Sequence, residues 1–346
     1  MAREPVTIGG VTVAPGTRAT IDLSLGQLYN HNPISMPVHV VHGRRAGPQV
    51  FVCAAVHGDE LNGVEIMRRL LATPALRQLR GTLLAVPMVN VLGVLHHSRY
   101  LPDRRDLNRC FPGSETGSLA ARLAHLFMRE IVSGCTHGID LHTGAQHRAN
   151  YPQIRAALDE PETLQLARAF AAQVLLNSDL RDGSLRAAAG AEGVRMLVYE
   201  AGEALRFDER CIRTGVAGVL GVLRELGMLR GRTGRTRRRE PFIARSSYWV
   251  RSPGSGIVRM LRGLGDVVSR NDVLARISDP FGEVEVDVQA AADGVIIGRS
   301  NLPLAHEGDA LVHIARFPRG ESGDGYAFDD APDDDSAWLP EEPPIV

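Results

Sequence analysis

Short hydrophobic runs alternate along the chain with longer stretches in which apolar residues recur at helical spacing. The strand-like runs cover residues 48–56, 81–89, 137–144 and 193–202. The helical stretches cover residues 60–72, 118–132, 161–172 and 208–228. Strand and helix in alternation indicate parallel pairing through right-handed crossovers. We therefore predict an α/β fold for residues 49–229.

The pattern changes on both sides of this segment. Residues 1–48 hold alternating apolar stretches broken by Gly and Pro, which predicts an N-terminal β segment packed on the central domain. Residues 230–240 are rich in arginine and contain no run of apolar residues, so we predict a linker there. Residues 241–318 show short alternating runs typical of a small β-barrel-like domain, and the acidic residues 319–346 predict a disordered tail.

Composition narrows the class of protein. With 346 residues, 44% hydrophobic content and a net charge of -1, the chain suits a soluble globular protein rather than one attracted to nucleic acid or a membrane. The start lacks a signal-peptide pattern, so a cytoplasmic location is expected. The four cysteines form no C-x-x-C pair, which disfavours a disulfide framework and a thiolate zinc cluster. Any metal would need nitrogen and oxygen ligands.

Two sequence motifs bring such ligands to the ends of predicted strands. His57 and Glu60 follow the first strand, and His142 ends the strand "HGIDLHTG". Carboxyl ends of parallel strands share one edge of a sheet, where ligand sites lie. Two imidazoles and one carboxylate form a typical catalytic zinc set with an open fourth position. The alternative for the first motif alone is a polar turn with helix-capping acids.

Three motifs in order carry a family resemblance. They are His57-x-x-Glu60, Asp106-Leu107-Asn108-Arg109 and Asp140-Leu141-His142. Together they resemble the succinylglutamate desuccinylase and aspartoacylase family, relatives of the zinc carboxypeptidases. The resemblance implies a mixed, largely parallel sheet with flanking helices, and one zinc ion per chain bound by His57, Glu60 and His142. It also implies a hydrolase that cleaves a linear amide.

The resemblance further implies roles for residues outside the ligand set. Glu200, at the end of "MLVYEAG", matches the family's catalytic glutamate and would act as general base. Arg99 matches the arginine that polarises the scissile carbonyl. Extra residues between Arg99 and Asp106 leave the register open, with Arg105 as the alternate.

Substrate binding and ligand orientation are implied in the same way. Asn108 and Arg109 match the pair that grips the substrate carboxylate, a task that suits the planar guanidinium fork. Asp106 matches an acid that orients a zinc histidine, His57, through its far ring nitrogen.

The sequence thus predicts a zinc-dependent amidohydrolase that removes an N-acyl group from an amino acid or similar small carboxylate, through a metal-activated water. The alternatives are a metallocarboxypeptidase acting on a short peptide-like amide and a non-catalytic binding protein. Residues 241–318 also resemble biotinyl and lipoyl carrier domains, but the chain has no lysine to carry the cofactor. A lid, a specificity element or an oligomer contact suits this segment better, and a homo-oligomer is compatible with the chain.

Overall fold

The computed structural model describes residues 3–231, 240–318 and 328. The N-terminal part contains β1 (Val6–Ile8), β2 (Val11–Val13), β3 (Thr17–Gln27) and β4 (Pro33–His42). The central part contains β5 (Arg45–Ala54), α1 (Asn62–Ala72), β6 (Arg80–Val86), α2 (Val91–Leu95), α3 (Leu119–Phe127), β7 (His137–Gly144), β8 (Arg148–Ala156), α4 (Pro161–Phe170), β9 (Val174–Asn177), α5 (Leu185–Ala191), β10 (Arg195–Glu203) and α6 (Glu209–Glu225). The C-terminal part contains β11 (Phe242–Ala244), β12 (Ser247–Arg251), β13 (Gly256–Met260), β14 (Val267–Val268), β15 (Val273–Ser278), β16 (Glu285–Gln289), β17 (Gly294–Ser300), β18 (Leu304–Ala305) and β19 (Ala310–Arg316).

One large mixed sheet dominates the molecule. Its main path runs β12-β19-β17-β8-β10-β7-β5-β6-β4-β3. The four strands β10, β7, β5 and β6 pair in parallel, as the strand–helix alternation predicts. On either side β8 and β4 pair antiparallel to their neighbours. The predicted α/β fold class, a mixed sheet with flanking helices, is confirmed, with parallel pairing at the centre of the sheet and antiparallel pairing toward its edges.

Helices cover both faces of this sheet. Helices α1, α4 and α6 bury their apolar sides in one core cluster with alternate strand residues such as Val52 and Leu141. Helices α3 and α5 pack on the opposite face against the intervening residues, including Phe51 and Cys53. Successive strand residues thus point to opposite faces of the sheet, as expected for strands that are buried on both faces. The apolar side chains along these strands are therefore taken up by the core, and polar side chains toward the carboxyl ends are the candidates for a site.

Local chemistry fixes the element ends. The Asp208 carboxylate accepts a hydrogen bond from the Cys211 N–H at 3.0 Å and begins α6, and the Ser118 hydroxyl caps α3 in the same way. The strand predicted over 81–89 ends at Val86 in the structure. The next residue, Pro87, has no N–H to donate to a neighbouring strand. The last turn predicted for the second helix is a π-helical turn over Met128–Val132.

The C-terminal segment is shared between two sheets. Strands β17, β19 and β12 extend the main sheet beyond β8, whereas β16, β15, β13 and β18 form a separate antiparallel sheet. The two layers enclose a core of their own that includes Val258, Ile277 and Ile314. Most of the predicted linker, residues 232–239, lies outside the described residues, as does the predicted tail except for Phe328. No helix among the described residues has the length and apolarity to cross a membrane.

Candidate active site

The candidate metal ligands meet at the carboxyl ends of β5 and β7. His57 and Glu60 lie in the turn between β5 and α1, where the Glu60 N–H donates to the His57 carbonyl at 3.1 Å. This turn packs directly on α2. A Cβ atom at Gly58 would lie 2.0 Å from the carbonyl carbon of Gly93, so only glycine allows this approach. His142 lies on the adjacent strand β7.

The Glu60 carboxylate lies between the two imidazoles. Its Oε1 is 2.8 Å from Nδ1 of His57, and its Oε2 is 2.7 Å from Nδ1 of His142. The backbone N–H of Thr143 also donates to Oε2 at 3.1 Å. The three side chains are buried, and their candidate ligand atoms lie within 4.8 Å of one another. Two nitrogens and one oxygen at this spacing can hold one divalent metal ion.

The far nitrogens of both rings contact further carboxylates. His57 Nε2 lies 3.1 Å from Asp106 Oδ1, and His142 Nε2 lies 2.7 Å from Asp140 Oδ2. A neutral imidazole that donates Nε2–H to a carboxylate presents its lone pair at Nδ1. Both Nδ1 atoms point toward the Glu60 carboxylate, so the residues present fit a metal ion bound there.

The electrostatics of the cluster favour a cation. Burial opposes a charged imidazolium, but Glu60 and Asp106 outweigh it and raise the pKa of His57. The pKa of His142 is raised well above its usual value against the same burial penalty, by Asp140 and Glu60. Burial would raise the pKa of Glu60, yet the two histidines lower it. The carboxylates therefore stabilise positive charge at the position of the two Nδ1 atoms.

Of the two candidate arginines, the structure brings Arg99 into this cluster. Its guanidinium donates to Glu60 Oε1 and to Asp106 Oδ2, each at 3.1 Å. The Arg105 side chain is 59% exposed, and its nearest acidic partner is Asp103 at 3.8 Å. The alternate arginine from the sequence analysis thus lies outside the cluster.

The loop with Asn108 and Arg109 is fixed by hydrogen bonds at the rim of the cluster. Asp106 begins a short 3-10 turn, where its Oδ1 accepts from the Asn108 N–H at 2.9 Å. The Asn108 Oδ1 accepts from the Leu185 N–H at 2.9 Å, which ties the loop to the start of α5. The Arg109 guanidinium donates to the Asn108 carbonyl at 2.6 Å and remains exposed.

Glu200 stands beside His142 on the neighbouring strand. The two residues pair in the parallel register of β10 and β7. The Glu200 side chain is 16% exposed, and its Oε2 accepts from the Asn150 side-chain amide at 2.8 Å. Neither Asn150 nor Asp140 was assigned a role from the sequence. For Asp140 a signal exists, because the spacing Asp-x-His on a strand places both side chains on one face.

Comparison with known proteins agrees with this architecture. The chain matches the succinylglutamate desuccinylase/aspartoacylase catalytic domain over residues 46–226, more than half of its length. The protein belongs to this family, as the sequence motifs indicate. It is similar to N-alpha-acetyl-L-2,4-diaminobutyric acid deacetylase of Halomonas elongata, with 26% identity over 294 residues, covering 82% of this chain and 86% of that protein.

Solved structures show the same fold. The product-bound ectoine utilization protein EutE (DoeB) from Ruegeria pomeroyi superposes with a TM-score of 0.78 at 24% identity, covering 91% of this chain and 96% of that one. A succinylglutamate desuccinylase from Silicibacter sp. TM1040 gives a TM-score of 0.77 at 25% identity, with coverages of 86% and 94%. Both alignments extend well beyond the matched catalytic domain, so the C-terminal segment belongs to the shared fold.

Proposed function

We propose that the protein is a zinc-dependent amidohydrolase that removes an N-acyl group from an amino acid or similar small carboxylate. The buried His57–Glu60–His142 set carries this proposal, because each histidine presents Nδ1 to one point while a carboxylate holds its Nε2. The deacetylase from Halomonas elongata, whose name states an N-acetylated amino acid as substrate, supports the choice of substrate class.

The three ligand residues would hold one zinc ion per chain. When bound, zinc supplies a Lewis acid that acidifies water and polarises a carbonyl oxygen. Asp106 and Asp140 keep the two imidazoles oriented, and loss of such contacts typically weakens metal affinity about 10- to 100-fold. We propose that the reacting amide binds between the ligand set and Glu200.

Glu200 would act as general base and then as general acid. Its carboxylate takes a proton from the attacking water and returns it to the leaving nitrogen, so the amine departs in neutral form. In support, Glu200 pairs in register with His142 and is anchored by Asn150 on the adjacent strand. Its partial exposure gives a small substrate access to the carboxylate.

Three further side chains would bind the substrate. The Arg99 guanidinium, already beside Glu60, provides positive charge for the carbonyl oxygen as it gains negative charge. Asn108 and Arg109 would bind the substrate carboxylate, since one offers an amide donor and the other a bidentate fork. We also propose that residues 49–229 form the catalytic domain, with residues 1–48 and 241–318 packed on it.

A substrate panel tests this proposal. The zinc-loaded protein is incubated with N-acetyl, N-succinyl and longer N-acyl amino acids and, in parallel, with dipeptides that carry a free C-terminus. We expect hydrolysis of at least one N-acyl amino acid, abolished in Glu200→Gln. Activity on dipeptides alone would instead indicate a metallocarboxypeptidase. Zinc binding without hydrolysis of either class would indicate a binding protein.

A further inference from the structure

Asn150 anchors the carboxylate of Glu200 from the strand next to it. The Asn150 side-chain amide donates to Glu200 Oε2 at 2.8 Å, and Asn150 itself is only 8% exposed. The other oxygen, Oε1, has a looser neighbour in the Arg155 guanidinium at 3.5 Å. The short, buried hydrogen bond from Asn150 is therefore made to Oε2 of Glu200, whereas Oε1 is less closely bound.

An irregularity in the sheet allows this contact. Glu200 pairs with Gln153 of β8, whereas Gly202, two residues on, pairs with Asn150, three residues back. The extra residue on β8 is a bulge, and bulges redirect side chains relative to a regular strand. Asn150 thus reaches Glu200 from a strand position that regular alternation would turn to the other face.

The C-terminal segment holds Asn150 in this position. Gly298 of β17 pairs with Asn150. A Cβ atom at Gly298 would lie 3.0 Å from Asn150 Oδ1 and 3.2 Å from the Cβ atom of His313, tighter than ordinary contact. A side chain at position 298 would press on the amide oxygen, so the amide would have to shift by a few tenths of an ångström and its hydrogen bond to Glu200 should weaken.

We propose that Asn150 is a positioning residue for Glu200 and that Gly298 keeps its amide in place. The inference rests on the proposed function, because it matters only if Glu200 is the base. A neutral amide fixes Oε2 without adding positive charge to that of the Arg155 guanidinium, which lies at the longer distance of 3.5 Å from Oε1. Oε1 is then the oxygen that would accept the proton of water. An arginine at the same distance would hold the carboxylate more tightly but would make it a weaker base.

The first test compares Asn150→Ala and Asn150→Asp with wild type. Loss of a hydrogen bond to a charged group should lower kcat about tenfold in Asn150→Ala, while KM and zinc content stay unchanged. Asn150→Asp keeps the shape but replaces the amide donor by a second carboxylate, which repels Glu200 from its position, so kcat should fall further. If Asn150→Ala does not fold, the isosteric Asn150→Asp carries the test.

A matched control lies close by. The Asn301 amide donates to Glu203 Oε2 at 2.9 Å, the same kind of bond to a glutamate that has no proposed role. Asn301→Ala should leave kcat unchanged. The inference would be overturned if Asn150→Ala retained wild-type kcat, if it changed KM and zinc content as much as kcat, or if Asn301→Ala lost as much activity.

The second test changes a residue of the C-terminal segment. Gly298→Ala should lower kcat several-fold, up to about tenfold, through displacement of the Asn150 amide. Gly254→Ala, where an added Cβ meets no atom within 4 Å, is the control and should match wild type. Equal kcat in Gly298→Ala and wild type would remove Gly298 from the inference.

Glu200→Gln, measured in parallel, distinguishes a failure of the positioning role from a failure of the proposed base. If it loses turnover and the Asn150 variants do not, only the positioning role fails. If Glu200→Gln itself keeps full turnover, the proposed base is wrong and the positioning role falls with it.

Discussion

The proposed role of Glu200 in proton transfer can be tested separately from metal binding. Glu200 lies outside the His57–Glu60–His142 set, yet it pairs in register with His142. Glu200→Gln keeps the size of the side chain and removes the basic oxygen, so kcat should fall by about 10²- to 10⁴-fold with little change in KM. Steady-state kinetics with zinc analysis measures this. Loss of zinc in the variant would make Glu200 a ligand instead.

Arg109 provides a second test at the scale of the residue. Arg109→Lys keeps the charge but not the planar fork, so KM for an N-acyl amino acid should rise about tenfold or more. Arg105→Lys is the matched control, since Arg105 is exposed and outside the cluster. An unchanged KM in Arg109→Lys, or an equal rise of KM in Arg105→Lys, would show that Arg109 does not bind the substrate carboxylate.

Residues close together in a motif could be predicted, whereas contacts between distant segments could not. The spacing of His57 and Glu60 is visible in a few residues of sequence, and the structure brings both together with His142. The bond from Asn150 to Glu200 depends on a register slip between antiparallel strands. No local pattern of apolar and polar residues encodes such a slip, because it is decided by pairing across the sheet.

At the scale of the element, helix α1 holds the ligand turn against the sheet. A Cβ atom at Gly63 would lie 2.6 Å from Ala54 Cβ and 2.8 Å from Leu141 Cβ, so Gly63→Ala should push α1 off the strands that carry the site. We expect a loss of about 1–3 kcal/mol in the free energy of unfolding, together with weaker zinc binding. Chemical denaturation and zinc titration measure the two effects.

A glycine in another helix provides the control for this prediction. Gly190, in α5, has no atom within 4 Å of an added Cβ. Gly190→Ala should raise the free energy of unfolding by about 0.5–1 kcal/mol through helix propensity alone. Equal behaviour of the two variants would show that α1 does not depend on close contact at Gly63.

The order of four central strands and four helices was predictable, whereas β8, β9, α2 and α5 were not predicted, and the pairing partners were predictable only in part. Parallel pairing of β5, β6, β7 and β10 follows from the alternation of strands with helices. The structure pairs β17 with β8 and so places Gly298 beside Asn150. Neither strand indicates this partner in its sequence, since both show only short apolar runs. Long-range antiparallel pairing is selected by the packing of whole layers and leaves little trace in local sequence.

For the molecule as a whole, the shared fold places catalytic and C-terminal parts in one sheet. Strands β17, β19 and β12 continue the sheet that carries His142 and Glu200. The C-terminal segment is therefore part of the same sheet as the candidate site and is not a separate module that merely comes later in the chain. Its contribution to activity is therefore expected through contacts such as the one between Gly298 and Asn150.

We propose above all that catalysis depends on one zinc ion held by His57, Glu60 and His142. Elemental analysis of the purified protein, combined with activity before chelation, after chelation and after zinc is restored, tests it most directly. We expect about one zinc ion per chain, loss of activity on chelation and recovery with zinc, and neither zinc nor activity in His142→Ala. A metal-free wild-type protein with full activity on N-acyl amino acids would contradict the account.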